Sequence, residues 1–472
     1  MSNSSIPSIS AYLENTLAGI AQAFPAIASQ QQARLAVAYS GGLDSSVLLH
    51  AAAQYAGAHG AQLFAFHIHH GISPNADQWQ SHCAEACARL GVVFDTRRIA
   101  LRNSDKSGVE EAARISRYAA LGDLCRQHQI PLLLTGHHLD DQAETVLLQL
   151  LRGSGAAGLS GMDRWNTAPT LLGDAVLLMA RPLLKVSRAA LEQYAAAQQL
   201  TFIEDESNHD PRYARNALRQ QVMPVLAQHF PGFQERFSRS AGHMQTTQRL
   251  LIDLAAQDMA VCADGACLDL EHVRQLSGER IDNLLRYWFG LHHLRMPSSA
   301  WLSEMRQQLL EAKADAQLCV THPDCHIRRH RNRVFLTPRD DVDRSEIEPQ
   351  AFRWNGEAEM RFPQFGGVLH FDQAEQGIDA DWLRAQSLQI QYRSGGERLK
   401  LALNRPTKSV KYHYQAFDVP PWERERLPLV SSGKQILFAA GIGMDCLQLA
   451  AGPGLHISLR WQADELPFRQ GI

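Results

Sequence analysis

The sequence predicts an α/β protein with a doubly wound parallel-sheet domain at its N-terminus. A mostly helical domain follows, and then a small α+β domain. Three observations carry this. Strand-like runs recur at 35–39, 62–68, 92–94 and 131–135, separated by helical stretches at 45–58, 76–90 and 109–128. That is the pattern of parallel strands joined by crossover helices. The alternation stops near residue 220, and 225–315 is rich in Leu, Gln, Arg and Ala with helical periodicity. From about 351 short strands dominate, with turns at Arg393-Ser394-Gly395-Gly396 and Ser431-Ser432-Gly433-Lys434.

Taken in order, residues 11–30 read as an amphipathic helix ahead of the first strand. The run Leu35-Ala36-Val37-Ala38-Tyr39 leads into Ser40-Gly41-Gly42-Leu43-Asp44-Ser45-Ser46 and then Val47-Leu48-Leu49, a strand–loop–helix element. The second strand ends in His67-Ile68-His69-His70-Gly71, and the fourth opens into Thr135-Gly136-His137-His138-Leu139-Asp140-Asp141-Gln142-Ala143-Glu144-Thr145. All three loops fall at the carboxyl ends of strands, where open parallel sheets bind ligands. A strand-like segment from Cys325 to Leu336 closes the helical part, and 340–349 reads as an acidic linker.

Composition narrows the class. At 472 residues the chain exceeds one ordinary core, so two or three domains are expected. Hydrophobic residues at 45% and charged residues at 20% describe a globular protein, and a net charge of −3 means that any nucleic-acid surface is local. No apolar run is long enough for a membrane span, and Met1-Ser2-Asn3-Ser4-Ser5 lacks an export signal, so a cytoplasmic location is expected. Eight cysteines without a CxxC pair fit a reducing compartment. Cys83 and Cys87 stand four apart on a predicted helix beside His82, where a core pair is favoured over a metal pair.

The loop from Ser40 to Ser46 has the chemistry of a phosphate site. Its glycines admit close approach of an anion, and the helix start offers unpaired N–H groups. No lysine accompanies it, unlike the common nucleotide P-loop, so it suits an enzyme that holds a pyrophosphate leaving group while the α-phosphate is attacked. A plain tight turn explains the Asp and two Ser beside the glycines less well. Asp141 and Glu144 share a helix face with His137 one turn earlier, a pair suited to Mg2+ on substrate phosphates, whereas Asp140 reads as a helix cap. His67 suits a base contact, proton carriage or a strand cap. Arg114, with Tyr118 on one face and Arg117 close by, reads equally as a phosphate contact or as half of an exposed Glu110–Arg114 pair. The acidic loop 204–210 runs into Arg215 and Arg219, more hydrogen-bonding capacity than capping needs.

Together these motifs resemble the tRNA(Ile)-lysidine synthetase family of the PP-loop ATP pyrophosphatases. The resemblance rests on the loop at 40–46, HIHHG at 67–71, EEAARISRY at 110–118, the block at 135–145, LLRGSGAAGLSGM at 150–162, RPLL at 181–184 and SNHDPRYARNALR at 207–219. In the tail, Arg393-Ser394-Gly395-Gly396-Glu397, Arg405, Lys408 and Val419-Pro420-Pro421-Trp422-Glu423-Arg424 resemble the family's tRNA-contacting domain. Ser73 departs from the family, in which many members carry Arg. The resemblance implies a catalytic domain over 1–220, a helical substrate domain over 221–340 and a tRNA-binding domain over 351–472, with a homodimer as one possible assembly.

It also implies a reaction. The wobble cytidine of an isoleucine tRNA with a CAU anticodon is adenylated by ATP at its C2 oxygen, releasing pyrophosphate. L-Lysine then displaces AMP, so that the product reads AUA. Ser40, Gly41, Gly42, Leu43, Asp44, Ser45, Ser46, His67, Gly136 and His137 are the expected ATP-binding residues. Asp44, Asp141 and Glu144 are expected to hold Mg2+ and, with Arg114, to act in catalysis. Arg215, Arg219, Arg393, Arg405, Lys408 and Arg424 are the expected tRNA contacts, with Arg328-Arg329-His330-Arg331-Asn332-Arg333 as a second candidate stripe. Glu144 and the acidic residues of 204–210 are candidates for holding lysine. A tRNA thiolase of the same superfamily is the alternative, disfavoured by the lack of paired cysteines, and an inactive RNA-binding relative is disfavoured by the intact Asp44, Asp141 and Glu144.

Overall fold

The computed structural model describes residues 8–28, 33–69, 71, 75–99, 109–204, 214–313, 318–339, 347–464 and 468. His70, Ser73, residues 205–213, the Glu110 side chain and most of the expected linker (340–346) lie outside them. The chain forms two compact units, 1–254 and 255–472. No helix among the described residues is long and apolar enough to cross a membrane.

The first unit is built on a six-stranded sheet: β1 Arg34–Ala38, β2 Gln62–His69, β3 Val93–Arg98, β4 Leu132–Leu134, β5 Trp165–Thr167 and β6 Leu178–Ala180, in the order β3-β2-β1-β4-β6-β5. All neighbours are parallel except β5, which runs antiparallel to β6 at the edge. The central β1 and β4 are buried and apolar because both faces are covered. One face packs Val37, Leu63 and Leu134 against Leu13, Leu48 and Leu191 of the flanking helices. The other packs Phe64, Phe66 and Leu133 against Leu121 and Leu124. Successive strands lead outward from β1 to β3 and then, from β4, in the opposite direction. A crevice therefore opens between the carboxyl ends of β1 and β4, the switch point where such sheets bind ligands.

Some elements differ from expectation. The first helix is Ile9–Ala23, not 11–30, because Pro25 cannot continue the hydrogen-bond ladder. The third strand extends to Arg98 despite its polar residues, because it is an edge strand paired only with β2.

In the second unit, helices Gly278–Leu291 and Ser299–Glu311 pack on a five-stranded antiparallel sheet that includes Cys325–His330 and Arg333–Pro338. Small antiparallel sheets of five, three and two strands follow.

The structure accounts for the arginine stripe at 328–333 within the protein. Arg329 is buried and donates to the carbonyls of Leu309 and Ala312, closing the C-terminus of the Ser299–Glu311 helix, and to Arg331 O. The Arg328 guanidinium lies 5.4 Å from the Trp422 ring centroid, His330 and Arg331 both reach Asp418 at 2.9 Å, and Arg333 pairs with Asp264 at 2.7 Å. Replacing Arg329 with Met strands three carbonyls. We expect urea unfolding to show a loss of about 1–3 kcal/mol, with ATP cleavage unchanged at temperatures where the variant stays folded. A variant as stable as wild type would contradict the capping role.

Candidate active site

The loop after β1 carries the phosphate-type backbone. Gly42 begins the Leu43–His59 helix in extended conformation with no side-chain cap, so the first helical N–H groups face outward. Gly41 has φ +87°, and a Cβ there would sit 2.7 Å from Ile203 Cδ1 and 2.9 Å from Cys83 Sγ. Only glycine meets both demands. The hydroxyls brace the turn: Ser40 Oγ and Ser45 Oγ lie 3.0 Å apart, Ser45 donates to Gly42 O at 3.0 Å, and Ser46 donates to Gly41 O at 3.3 Å. Cys83 and Cys87 are packed in the core, and burial pushes both thiols up to about 12. They are structural residues rather than reactive thiolates.

The loop after β4 meets this turn backbone to backbone. A Cβ on Gly136 would fall 3.1 Å from the Asp44 carbonyl carbon and 3.2 Å from Ser45 N. His138 caps the Leu139–Leu151 helix, and Asp141 Oδ2 accepts from the His138 N–H at 3.1 Å, a reciprocal capping box. The buried His138 ring stands between carboxylates, with Nε2 3.6 Å from Asp44 and 3.4 Å from Asp141. Its Nδ1 accepts from the Asp140 N–H, which puts the ring proton on Nε2. Burial opposes protonation, but Asp140, Asp141 and Asp44 outweigh it and raise the pKa. His137 behaves oppositely. Burial, aided by Arg181, Arg215 and Arg117, pushes it down to about 3 against the pull of Asp141, so the ring is neutral. Sequence reasoning chose His137 and passed over His138, because adjacency alone does not say which ring turns inward.

Asp44 is the half-buried carboxylate at the phosphate-loop end of this charge cluster. Burial raises its pKa, partly offset by His138, and its buried Oδ1 has no hydrogen-bond partner among the described residues. Arg188 Nη1 approaches Oδ1 only to 3.9 Å. Asp140 is more than a cap: it accepts from the Arg188 N–H at 2.9 Å and from Gln234 at 3.2 Å, joining three helices. Asp141 and Glu144 do share a face, and Arg215 and Arg219 close over both. Glu144 takes Arg219 Nε at 2.7 Å and Arg215 Nε at 2.8 Å, and Asp141 takes Nη2 of each at 3.0 and 3.2 Å. Burial works against the Asp141 charge, but His138 and Arg215 lower its pKa to about 2.

His67 lies at the crevice end of β2. Its Nδ1 donates to Tyr39 O at 3.0 Å and leaves Nε2 as acceptor, while burial lowers its pKa. Arg114 is exposed, its guanidinium 5.7 Å from the Tyr118 ring centroid, with Arg117 at 5.4 Å from the same ring. Arg393, Arg405, Lys408 and Arg424 belong to the second unit. There Glu397 accepts from the Ser394 and Gly395 N–H groups and fixes the Arg393–Gly396 turn, and Lys408 stands over Tyr412 at 5.2 Å.

The residues present fit Mg2+ unevenly. The bare oxygen of Asp44 suits a hard cation, whereas both Glu144 oxygens already carry guanidinium donors. No group of three or more metal-capable side chains is arranged for an ion among the described residues.

A phosphate-cradling turn and a carboxylate–histidine cluster across a switch point define an ATP-binding PP-loop protein, and residues 14–226 match the PP-loop domain family. Residues 268–335 match the TilS substrate binding domain and 388–461 the TilS substrate C-terminal domain. The tRNA(Ile)-lysidine synthase of Ralstonia nicotianae is 41% identical over 90% of this chain and 92% of its own, and that of Legionella pneumophila (strain Lens) is 37% identical over 90% and 94%. The chain belongs to the tRNA(Ile)-lysidine synthase family. Among solved structures, the U34-tRNA thiolase NcsA of Methanococcus maripaludis aligns at 16% identity over 49% of this chain and 79% of its own, with a TM-score of 0.39.

Proposed function

We propose that this enzyme joins L-lysine to C2 of the wobble cytidine of tRNA(Ile) bearing a CAU anticodon, through an adenylated intermediate. The observation that carries the reading is the contact of the Ser40–Ser46 turn with the Gly136–Glu144 element across the switch point, in a chain of this family. A turn with outward N–H groups beside charges of both signs supports the reading of this loop as a cradle for the leaving group.

The cytosine C2 oxygen is a poor leaving group. Its attack on the α-phosphate of ATP forms the O–P bond and expels pyrophosphate, which the loop N–H groups receive. The ε-amine of lysine then adds at C2, loses a proton, and the C2–O bond breaks with departure of AMP. Asp44 would hold Mg2+, since both oxygens of Asp141, like those of Glu144, already accept hydrogen bonds, and the ion would neutralise charge on the phosphates. The neutral His137 and the Nε2 of His67 are suited to the nucleotide, and Arg114 to developing phosphate charge. Asp141 and Glu144 are the carboxylates suited to the lysine amine.

Three domains over 1–220, 221–340 and 351–472 accord with the matched family segments, and a cytoplasmic location accords with a tRNA substrate. Mass analysis of tRNA(Ile) incubated with ATP and lysine is expected to show a lysine adduct, with AMP and pyrophosphate as co-products. ADP and orthophosphate, or a sulfur-for-oxygen exchange in the tRNA, would defeat the proposal.

A further inference from the structure

Arg215 and Arg219 do more than neutralise their neighbours. Glu144 is only 1% exposed, and every side-chain oxygen it owns is engaged: Oε1 by Arg219 Nε at 2.7 Å, Oε2 by Arg215 Nε at 2.8 Å and by Arg219 Nη2 at 2.9 Å. Two carboxylates and two guanidiniums balance to zero. The guanidinium side chains are themselves 35% and 37% exposed, so the arginines form the solvent side of the cluster and the carboxylates its floor.

The segment that carries them is irregular. Leu218–Val222 is a π-turn containing Arg219, and Pro224 follows inside the next helix. Proline clashes with the carbonyl four residues before it in an ordinary α-helix, which favours the wider turn. A π-turn holds about one residue more than an α-turn, so tightening it re-aims the side chains it carries.

An ion cluster that only fastened a helix would need no place beside the phosphate loop. The two sides of this cluster match the two substrates. The carboxylates complement the lysine amine, and the arginines complement RNA phosphate, for which guanidinium forms equally strong forked hydrogen bonds.

We propose that Arg215 and Arg219 occupy the amine subsite of the free enzyme, and that tRNA phosphates draw them away, so that lysine binding depends on tRNA. The inference rests on the lysidine-forming reading above. Lysine alone must expel two guanidiniums into water, with no phosphate to replace the forked bonds they give up. RNA alone leaves two buried carboxylates uncompensated, which is costly. With both ligands present the guanidiniums keep an anionic partner in the phosphates and the carboxylates regain a cation in the lysine amine, one positive charge for the two that leave. Each ligand therefore strengthens the other by the same factor.

Calorimetric titration of L-lysine into the full-length enzyme without ATP, with and without a tRNA(Ile) transcript, tests this. Wild type is expected to bind lysine at least tenfold more tightly with the transcript. Arg219→Gln is expected to bind lysine severalfold more tightly without RNA, and the enhancement by RNA should shrink below twofold. Equal wild-type affinities with and without RNA would overturn the proposal, and so would weaker RNA-free binding by the variant with the enhancement intact. The wild-type pair decides the question even if the variant does not fold. Product analysis separates the two readings: an enzyme that makes lysidine with RNA-indifferent lysine affinity loses only this inference.

Discussion

Asp44→Asn is expected to lower pyrophosphate release by about 10²–10³-fold, the usual cost of deleting one preorganised electrostatic group at a reacting centre. The substitution keeps the shape of the side chain and removes a charge that the fold holds at a cost. Burial raises the Asp44 pKa and its Oδ1 has no hydrogen-bond partner among the described residues, so the ionised form is disfavoured in the folded state. The sign follows. A carboxyl with a raised folded-state pKa weakens stability as pH rises past its unfolded value, so the Asn variant should melt no lower than wild type at neutral pH. Activity and stability thus move apart, as expected of a strained functional group.

Glu144→Gln provides the contrast. It removes the acceptor charge beneath Arg215 and Arg219, so activity and stability should fall together. The stability loss should be about 1–3 kcal/mol, smaller than for a fully buried pair because water recovers part of each half-exposed guanidinium. Rapid-quench measurement of pyrophosphate with cognate tRNA, beside thermal melting, reads both variants. Near-wild-type release by Asp44→Asn at saturating Mg2+ would remove Asp44 from the centre.

The parts of this site legible in the sequence are those encoded within a few residues of one another. The Ser40–Ser46 turn announces itself because an apolar strand, two glycines and a helix start are contiguous. Asp141 and Glu144 follow from helical spacing alone. What the sequence hides is partnership across distance. Arg215 and Arg219 read as RNA contacts because nothing local shows that they close on carboxylates 71–78 positions earlier. The arginine stripe at 328–333 hid its roles similarly. Its hairpin turn falls at Arg331, which has φ +53°, and its alternate side chains go to a helix end, an aromatic ring and two aspartates. The edge strand Trp165–Thr167 and its inner neighbour Leu178–Ala180 are only three residues long, too short for any periodicity to declare them.

The double variant Arg405→Ala/Lys408→Ala is expected to weaken tRNA binding and flatten its salt dependence. Between 391 and 436 nine basic residues face four acidic ones in a chain of net charge −3. The structure makes that excess larger at the surface than the count suggests. Glu397 is spent on the Arg393–Gly396 turn, and Asp418 is spent on His330 and Arg331. Arg405 and Lys408 are exposed, and Lys408 stands over the half-exposed Tyr412 ring, a cation beside an aromatic face that suits a nucleotide as well as a phosphate. Each lost phosphate contact lowers the log–log salt slope by roughly 0.7–0.9, so the pair should lower it by about 1.4–1.8. ATP binding should be untouched, since the phosphate-cradling turn belongs to the other compact unit. Filter binding across a salt series measures both quantities. A slope equal to that of wild type would mean that neither side chain meets the RNA backbone, and that the basic excess here is an ordinary solvated face.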